Sequence, residues 1–215
     1  MLREIISNEW YTILIVLSLC VLTLAKQVYA NRFREFLGVV GNSKYLKIYS
    51  REKKLFDKFD SLLFLNLIIS LSIFSLLCYT TLIDPLLFDI ILLVKIALGI
   101  GIVLLVKSFL DRIIASLFEI NTIIDAYIFQ KTSYKNFIGI LLLPINVFLV
   151  FVIPPNPAIF YVILGVLILI NLIGLITSIK SHQKIIIHNF FYFILYLCAL
   201  EIGPYIILYK LLKDS

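Results

Sequence analysis

The sequence contains few of the residues from which catalytic and metal sites are usually built. Of its 215 residues, two are histidines and three are cysteines. His182 and His188 have no third ligand at a useful spacing. An HExxH zinc motif, a phosphate-binding glycine loop and a nucleophile elbow are all absent from the sequence. We therefore predict no catalytic residues, no metal site and no cofactor.

Charged residues are also scarce, and apolar residues are in excess. Charged side chains make up 15% of the sequence and hydrophobic ones 62%, with a mean hydropathy of +1.07. Soluble domains contain roughly 45–50% apolar residues, and water does not tolerate the exposed apolar surface that this excess implies. The composition therefore indicates an integral membrane protein without a separate soluble domain.

The apolar runs predict an all-α fold, a polytopic transmembrane helical bundle that forms one domain over residues 1–215. Because a helix needs about 20 apolar residues to cross the bilayer, we place six spans at approximately residues 10–28, 61–83, 86–106, 136–153, 158–179 and 190–208. Residues 108–130 are amphipathic, with apolar pairs recurring close to the helical period. We expect a cytoplasmic-side amphipathic helix here, which either continues the third span or lies along the membrane surface.

The distribution of Lys and Arg predicts the orientation. With six spans, residues 26–60, 107–135 and 180–189 lie on one side of the membrane, where they hold nine, four and two cations. The opposite side holds three. The positive-inside rule then predicts an inner-membrane protein with its basic loops in the cytoplasm and both termini in the periplasm. We attribute the net charge of +6 to orientation and membrane lipids, and expect no nucleic-acid partner.

The basic segment 26–60 also contains several aromatic residues. We expect part of it to lie on the membrane surface, with the aromatic rings in the interface and the cations toward the lipid headgroups. The same segment is the candidate docking surface for other inner-membrane or envelope proteins.

Two ionisable residues fall deep inside the predicted spans. Lys95 in the third span and Glu201 in the sixth each lie about 14 Å from the outer end of the span. A charge at such depth costs roughly 2.5–3.5 kcal/mol, and an opposite charge at the same depth offsets much of that cost. We predict that the two residues face the bundle interior and contact each other, directly or through water. The alternative is that Lys95 extends to an interface and Glu201 is separately protonated.

The sixth span adds further polar groups beside Glu201. Tyr205 and Tyr209 follow at helical spacing and share its face. Gly203 and Pro204 predict a kink, because proline removes a backbone hydrogen bond. These residues complete a candidate intramembrane polar site, although an ordinary proline kink explains the same pattern.

Small and amide residues on the other spans are typical of helix–helix contacts in membranes. Asn66 and Ser70 share one face of the second span. The residues that we predict to pack helices on the third, fourth and fifth spans are Gly99, Gly139, Asn146, Asn171 and Gly174.

The sixth span also carries a family resemblance. The stretch YLCALEIGP at residues 196–204, followed by Tyr209-Lys210, resembles the C-terminal signature of domain of unknown function 4271. This is an uncharacterised family of multi-pass inner-membrane proteins of Bacteroidota. Residues 8–12 look like the start of that family, and Leu143-Pro144 like the proline of its fourth span. The resemblance implies a membrane location but no mechanism.

Three functions remain open from the sequence. The first is a structural or accessory subunit of an envelope complex. The second is a small proton- or ion-coupled transporter that uses Lys95 and Glu201. The third, an intramembrane enzyme acting on a lipid with Glu201 as acid or base, is the weakest, because no partner nucleophile or metal set is visible.

Overall fold

The computed structural model describes residues 9–40, 44–49, 57–82, 90–117, 121–152 and 156–181. These ranges contain seven helices and no strand. The helices are α1 (Glu9–Val28), α2 (Ala30–Leu37), α3 (Lys44–Tyr49), α4 (Lys58–Leu82), α5 (Ile90–Leu117), α6 (Asn121–Phe151) and α7 (Pro157–Ser181). Five of them, α1 and α4 to α7, are long and apolar enough to cross a membrane. The predicted all-α transmembrane bundle is confirmed, and its sixth span at 190–208 lies outside the described residues.

Helices α5 and α6 are longer than the apolar runs of the third and fourth predicted spans. Of the amphipathic segment 108–130, the first part continues α5 to Leu117, and residues from Asn121 onward belong to α6. The segment is therefore shared between two long helices and does not form a separate surface helix. The two extensions approach each other, with Lys131 Nζ 3.9 Å from Asp111 Oδ2. On the α5 extension Asp111 is buried, whereas Phe109, Leu110 and Ile113 are exposed.

α4 and α6 form the centre of the bundle. They contact each other most extensively, and α1, α5 and α7 each contact both of them. Both α4 and α6 begin at the end of the bundle where the basic segments lie. These two central helices therefore run in the same direction. Buried side chains occur around much of the circumference of α4. This distribution follows from its nearly continuous apolar sequence, which is typical of a helix covered on several sides.

The two central helices approach each other closely at Gly139 of α6. A Cβ atom built on Gly139 would lie 2.7 Å from Cα of Leu67 and 2.9 Å from its Cβ. A second close approach joins α6 and α7, where a Cβ on Gly174 would lie 2.8 Å from the ring of Tyr134. Glycine is required at both positions because a larger residue would push a helix or a ring away.

The burial pattern places this bundle in a membrane. Long apolar side chains are exposed along α1, α5 and α7, whereas several of the buried side chains are serines and asparagines. Only 11% of the apolar window of α5 and 17% of that of α7 is buried, against 44% for α4 and for α6. Water would make such an apolar exterior unstable, whereas lipid solvates it. The protein is therefore an integral membrane protein.

The approach at Gly139 predicts a large difference between two glycine substitutions. Gly139→Ala should lower the free energy of unfolding by about 1–3 kcal/mol, because the added methyl meets the backbone of α4. Gly99→Ala is the matched control, since no atom lies within 4 Å of a Cβ at that position. Unfolding midpoints in detergent micelles would measure both, and equal midpoints for the two variants would contradict the packing described here.

Candidate functional site

The segment that joins α1 to α4 folds into an aromatic cluster, which we call the inner-end cluster: Tyr29, Phe33, Phe36, Val39, Tyr45, Leu46, Tyr49, Phe59 and Leu63. The ring of Phe36 lies edge-on to those of Tyr45 and Phe59, with centroid distances of 5.3 and 5.8 Å. The cluster packs against α6 through Phe129 and Tyr134. Phe36, Tyr45 and Phe59 are buried by protein. These three rings do not lie in the membrane interface, as the sequence suggested they would. Packing of these rings against one another stabilises the cluster because each ring buries a large apolar area.

Arg32 is the polar centre of this cluster. Its guanidinium forms ion pairs with Asp57 and, at 3.1 Å, with Asp60. Its Nε donates a weak hydrogen bond of 3.5 Å to the hydroxyl of Tyr45. These contacts join α2 to the start of α4. An arginine suits this position because its planar group offers several donors in a fixed geometry.

The same guanidinium lies over two aromatic rings. Its central carbon is 4.7 Å from the ring centroids of both Tyr49 and Phe59, within the range of cation–π attraction. Burial lowers the pKa of Arg32, but the neighbouring Tyr45 and Asp60 outweigh that effect and raise it above its usual value. Burial, reinforced by Asp60, also raises the pKa of Tyr45. Arg32 is therefore charged and Tyr45 neutral over the whole physiological pH range.

Other residues of segment 26–60 remain on its outside. Lys26, Arg34 and Lys58 are exposed, as are the apolar side chains of Leu37 and Ile48. We call these five residues the basic surface. Among the described residues, no ion pair includes any of these three cations. Arg32 thus forms ion pairs within the protein, whereas the three cations of the basic surface do not.

A second polar group lies in the middle of the membrane-spanning bundle. We call Ser18, Asn66, Ser70 and Asn146 the mid-membrane cluster. Each of the four residues is at most 1% exposed. Ser18 Oγ of α1 donates to Asn66 Oδ1 of α4 at 2.5 Å, and Asn146 Nδ2 of α6 donates to the Ser70 carbonyl at 2.8 Å. The cluster links three helices by side-chain hydrogen bonds, which are a common means of helix association in membranes.

Sequence reasoning found three of these four residues and missed Ser18. A signal for Ser18 exists, because Tyr11, Ile15, Ser18 and Ala25 recur at helical spacing and are all buried in α1. The Arg32 contacts were also missed. They join residues 25 and 28 positions apart along the chain, and spacing alone gives no information on such pairs.

The structure places Lys95 on the exposed side of α5, near the similarly exposed Val94 and Leu98. Lys95 forms no ion pair with any residue in the part of the chain that the structure describes. Its predicted partner Glu201 lies outside the described residues, as do Gly203, Pro204, Tyr205 and Tyr209. The pairing of Lys95 with Glu201 therefore stays a prediction.

The five residues predicted to pack helices occupy different environments. Gly139, Asn146 and Gly174 lie at helix–helix contacts. Gly99 is exposed, with open space around it. Asn171 is exposed too, and its Nδ2 donates to the Leu167 carbonyl of its own helix at 3.1 Å. Within the described ranges, no three His, Cys, Asp or Glu side chains lie close enough to hold a metal ion together.

The Arg32 contacts predict that two arginines of α2 differ in importance. Arg32→Ala should destabilise the protein by about 3 kcal/mol, because it leaves two partly buried carboxylates without their cation. Arg32→Lys should recover only part of this loss, since lysine lacks the planar fork. Arg34→Ala is the control on the same helix and should be neutral. Unfolding midpoints and the rate of proteolysis between residues 30 and 60 would report the difference, and equal rates for the Arg32 and Arg34 variants would disprove this role.

Comparison with known proteins gives one match. A family model described as Domain of unknown function (DUF4271) matches residues 11–212. The matched range takes in both the inner-end cluster and the mid-membrane cluster. Neither the curated proteins nor the solved structures yield a match. The chain belongs to the DUF4271 family, a family of unknown function.

Proposed function

We propose that this protein lies in the inner membrane, with the inner-end cluster on the cytoplasmic side and both termini in the periplasm. The charge count supports this orientation, with fifteen Lys and Arg on one side and three on the other. The fold is consistent with the count, because the inner-end cluster brings residues of the first basic loop against Phe129 and Tyr134, which belong to the second basic segment. These two basic segments therefore share one end of the bundle.

Within that membrane the protein acts as a structural or accessory subunit of an envelope complex. The observation that carries this proposal is the Arg32-centred packing of segment 26–60. A flexible basic linker would need only to orient the protein. Here Arg32 instead joins α2 to α3 and to the start of α4 through two ion pairs and two cation–π contacts, and these helices present the basic surface in a fixed form. Such preorganisation lowers the entropy cost of binding a partner.

The occupant that this surface fits is an acidic region of another membrane or envelope protein. Lys26, Arg34 and Lys58 supply positive charge, and Leu37 and Ile48 supply exposed apolar contact, at 46% and 44% exposure. Protein interfaces usually combine exposed apolar side chains with charged ones. Complementary charges across such an interface contribute chiefly to specificity and the rate of association.

Charge reversal on the basic surface tests the docking role. The triple variant Lys26→Glu, Arg34→Glu, Lys58→Glu should keep its unfolding midpoint but recover at least tenfold less partner after purification in mild detergent, because attraction becomes repulsion. Asn156→Asp is the control, because it adds a negative charge but keeps the side-chain oxygen that accepts from the Ala158 N–H at the start of α7, and it should recover the wild-type amount. Chemical crosslinks should map the partner to residues 26–60. Recovery of this protein alone from wild-type membranes would contradict the proposal.

An alternative function is a small proton- or ion-coupled transporter. The observation in its favour is Lys95, which lies within the apolar stretch of α5 and is exposed there. Because an unpaired lysine at that depth costs roughly 2.5–3.5 kcal/mol, a partner for it is needed. Glu201, predicted at a similar depth, is the candidate, with Tyr205 and Tyr209 on the same face.

The transporter alternative predicts a specific effect of one substitution. Glu201→Gln should abolish dye-detected proton flux in proteoliposomes without reducing the amount of folded protein, because the neutral amide carries no transferable charge. The exchanged pair Lys95→Glu, Glu201→Lys should fold as well as the wild type, whereas Lys95→Glu alone should not. If Glu201→Gln only lowers the yield of folded protein, the residue has a structural role and the transporter is excluded.

A further inference from the structure

The mid-membrane cluster contains two buried polar atoms whose hydrogen bonds are incomplete. Asn66 Nδ2 and Asn146 Oδ1 have no hydrogen-bond partner among the described residues. Their side chains are fully enclosed, at 0% and 1% exposure. Buried amide groups in folded proteins nearly always find a partner. These two atoms therefore leave one donor and one acceptor available to a further partner.

The orientation of Asn146 is fixed by its neighbour. The carbonyl oxygen of Ser70 can only accept a hydrogen bond, so Asn146 must turn Nδ2 toward it and present Oδ1 elsewhere. Asn66 accepts from Ser18 Oγ through Oδ1, which leaves Nδ2 without a bond. The cluster thus offers one unpartnered donor on α4 and one unpartnered acceptor on α6.

A third group of the cluster is only weakly engaged. Ser70 Oγ lies 3.4 Å from Ser18 Oγ, at the long limit of a hydrogen bond. Asn66 and Ser70 are one helical turn apart on the same face of α4. The three groups with unused bonding capacity therefore lie around the point where α1, α4 and α6 meet.

We propose that this junction binds one water molecule, which accepts a hydrogen bond from Asn66 Nδ2 and donates one to Asn146 Oδ1, with Ser70 Oγ as its third partner. The chemistry selects this ligand. A metal cation cannot bind to an amide N–H, and an anion cannot bind to an amide oxygen, whereas water satisfies both. Buried waters in proteins typically make about three hydrogen bonds to groups that are otherwise unsatisfied.

This water has a defined place in the bundle. Ser18 and Ser70 lie near the middle of α1 and α4, so the site is near the centre of the bilayer. Since Gly139 brings α4 and α6 into contact nearby, a side chain large enough to reach across would not fit. Water is small enough to complete the polar junction beside this close approach.

Isotope exchange at an introduced thiol tests the proposal. In a protein whose Cys20, Cys78 and Cys198 are replaced by alanine, Ser70→Cys places an S–H group at the water site. Ser72→Cys is the matched control, because Ser72 is equally buried on the same helix but its hydroxyl donates to the Ile68 carbonyl at 2.6 Å. Infrared spectra after transfer of the membrane-embedded protein to D2O would follow the loss of the S–H stretch.

We expect the thiol at position 70 to exchange at least tenfold faster than that at position 72, because the bound water supplies deuterium. Equal rates would overturn the proposal. If Ser70→Cys fails to fold, a density map of the wild-type protein decides the question. An experimental density map of the wild-type protein at about 2 Å resolution gives an independent readout: a peak within about 3.2 Å of both asparagine atoms supports the site, and direct contact between the two amides refutes it.

Discussion

The approach of α4 and α6 at Gly139 is the constraint on which the rest of the described bundle depends. Removing the side chain at this one position lets the backbones of two helices come together at Leu67. Asn146, two turns further along the same face of α6, then reaches the backbone of Ser70. Without the approach, the amide would lack the reach to bond across the interface. Lipid supplies no hydrophobic force between helices, so such close packing and interhelical bonds must supply the association energy.

The same two helices carry the inner-end cluster at their basic end. Phe59 and Leu63 of α4 and Tyr134 of α6 form the floor of the cluster, and Arg32 connects the beginning of α4 to α2. Misplacement of α4 against α6 would therefore also disturb the surface formed by residues 26–60. The proposed docking surface and the transmembrane core therefore depend on the same packing of α4 against α6.

The sequence was sufficient for the features that follow from composition and period. It predicted the helical class and the approximate position of five spans, and it selected Gly139, Asn146 and Gly174 as contact residues. It could not separate these from Gly99 and Asn171, because the five residues share the same chemistry and differ only in what faces them. It also predicted an interfacial fate for the aromatic residues of segment 26–60. The burial of Phe36, Tyr45 and Phe59 depends on Phe129 and Tyr134 of α6, which are far away in the sequence. Local residue spacing cannot predict such a long-range contact.

The uneven covering of the helices bears on function. In the part of the chain described by the structure, 44% of the apolar windows of α4 and of α6 is buried, against 11% for α5 and 17% for α7. Lipid can solvate these apolar faces at no cost, but it cannot solvate Lys95 on α5 equally well. The position of this cation therefore distinguishes the two exposed faces, since the α7 span contains no charged residue from Pro157 to Gly174. We therefore expect an opposite charge, from the sixth predicted span or from a neighbouring protein, to face α5, whereas the uncharged face of α7 can remain in contact with lipid.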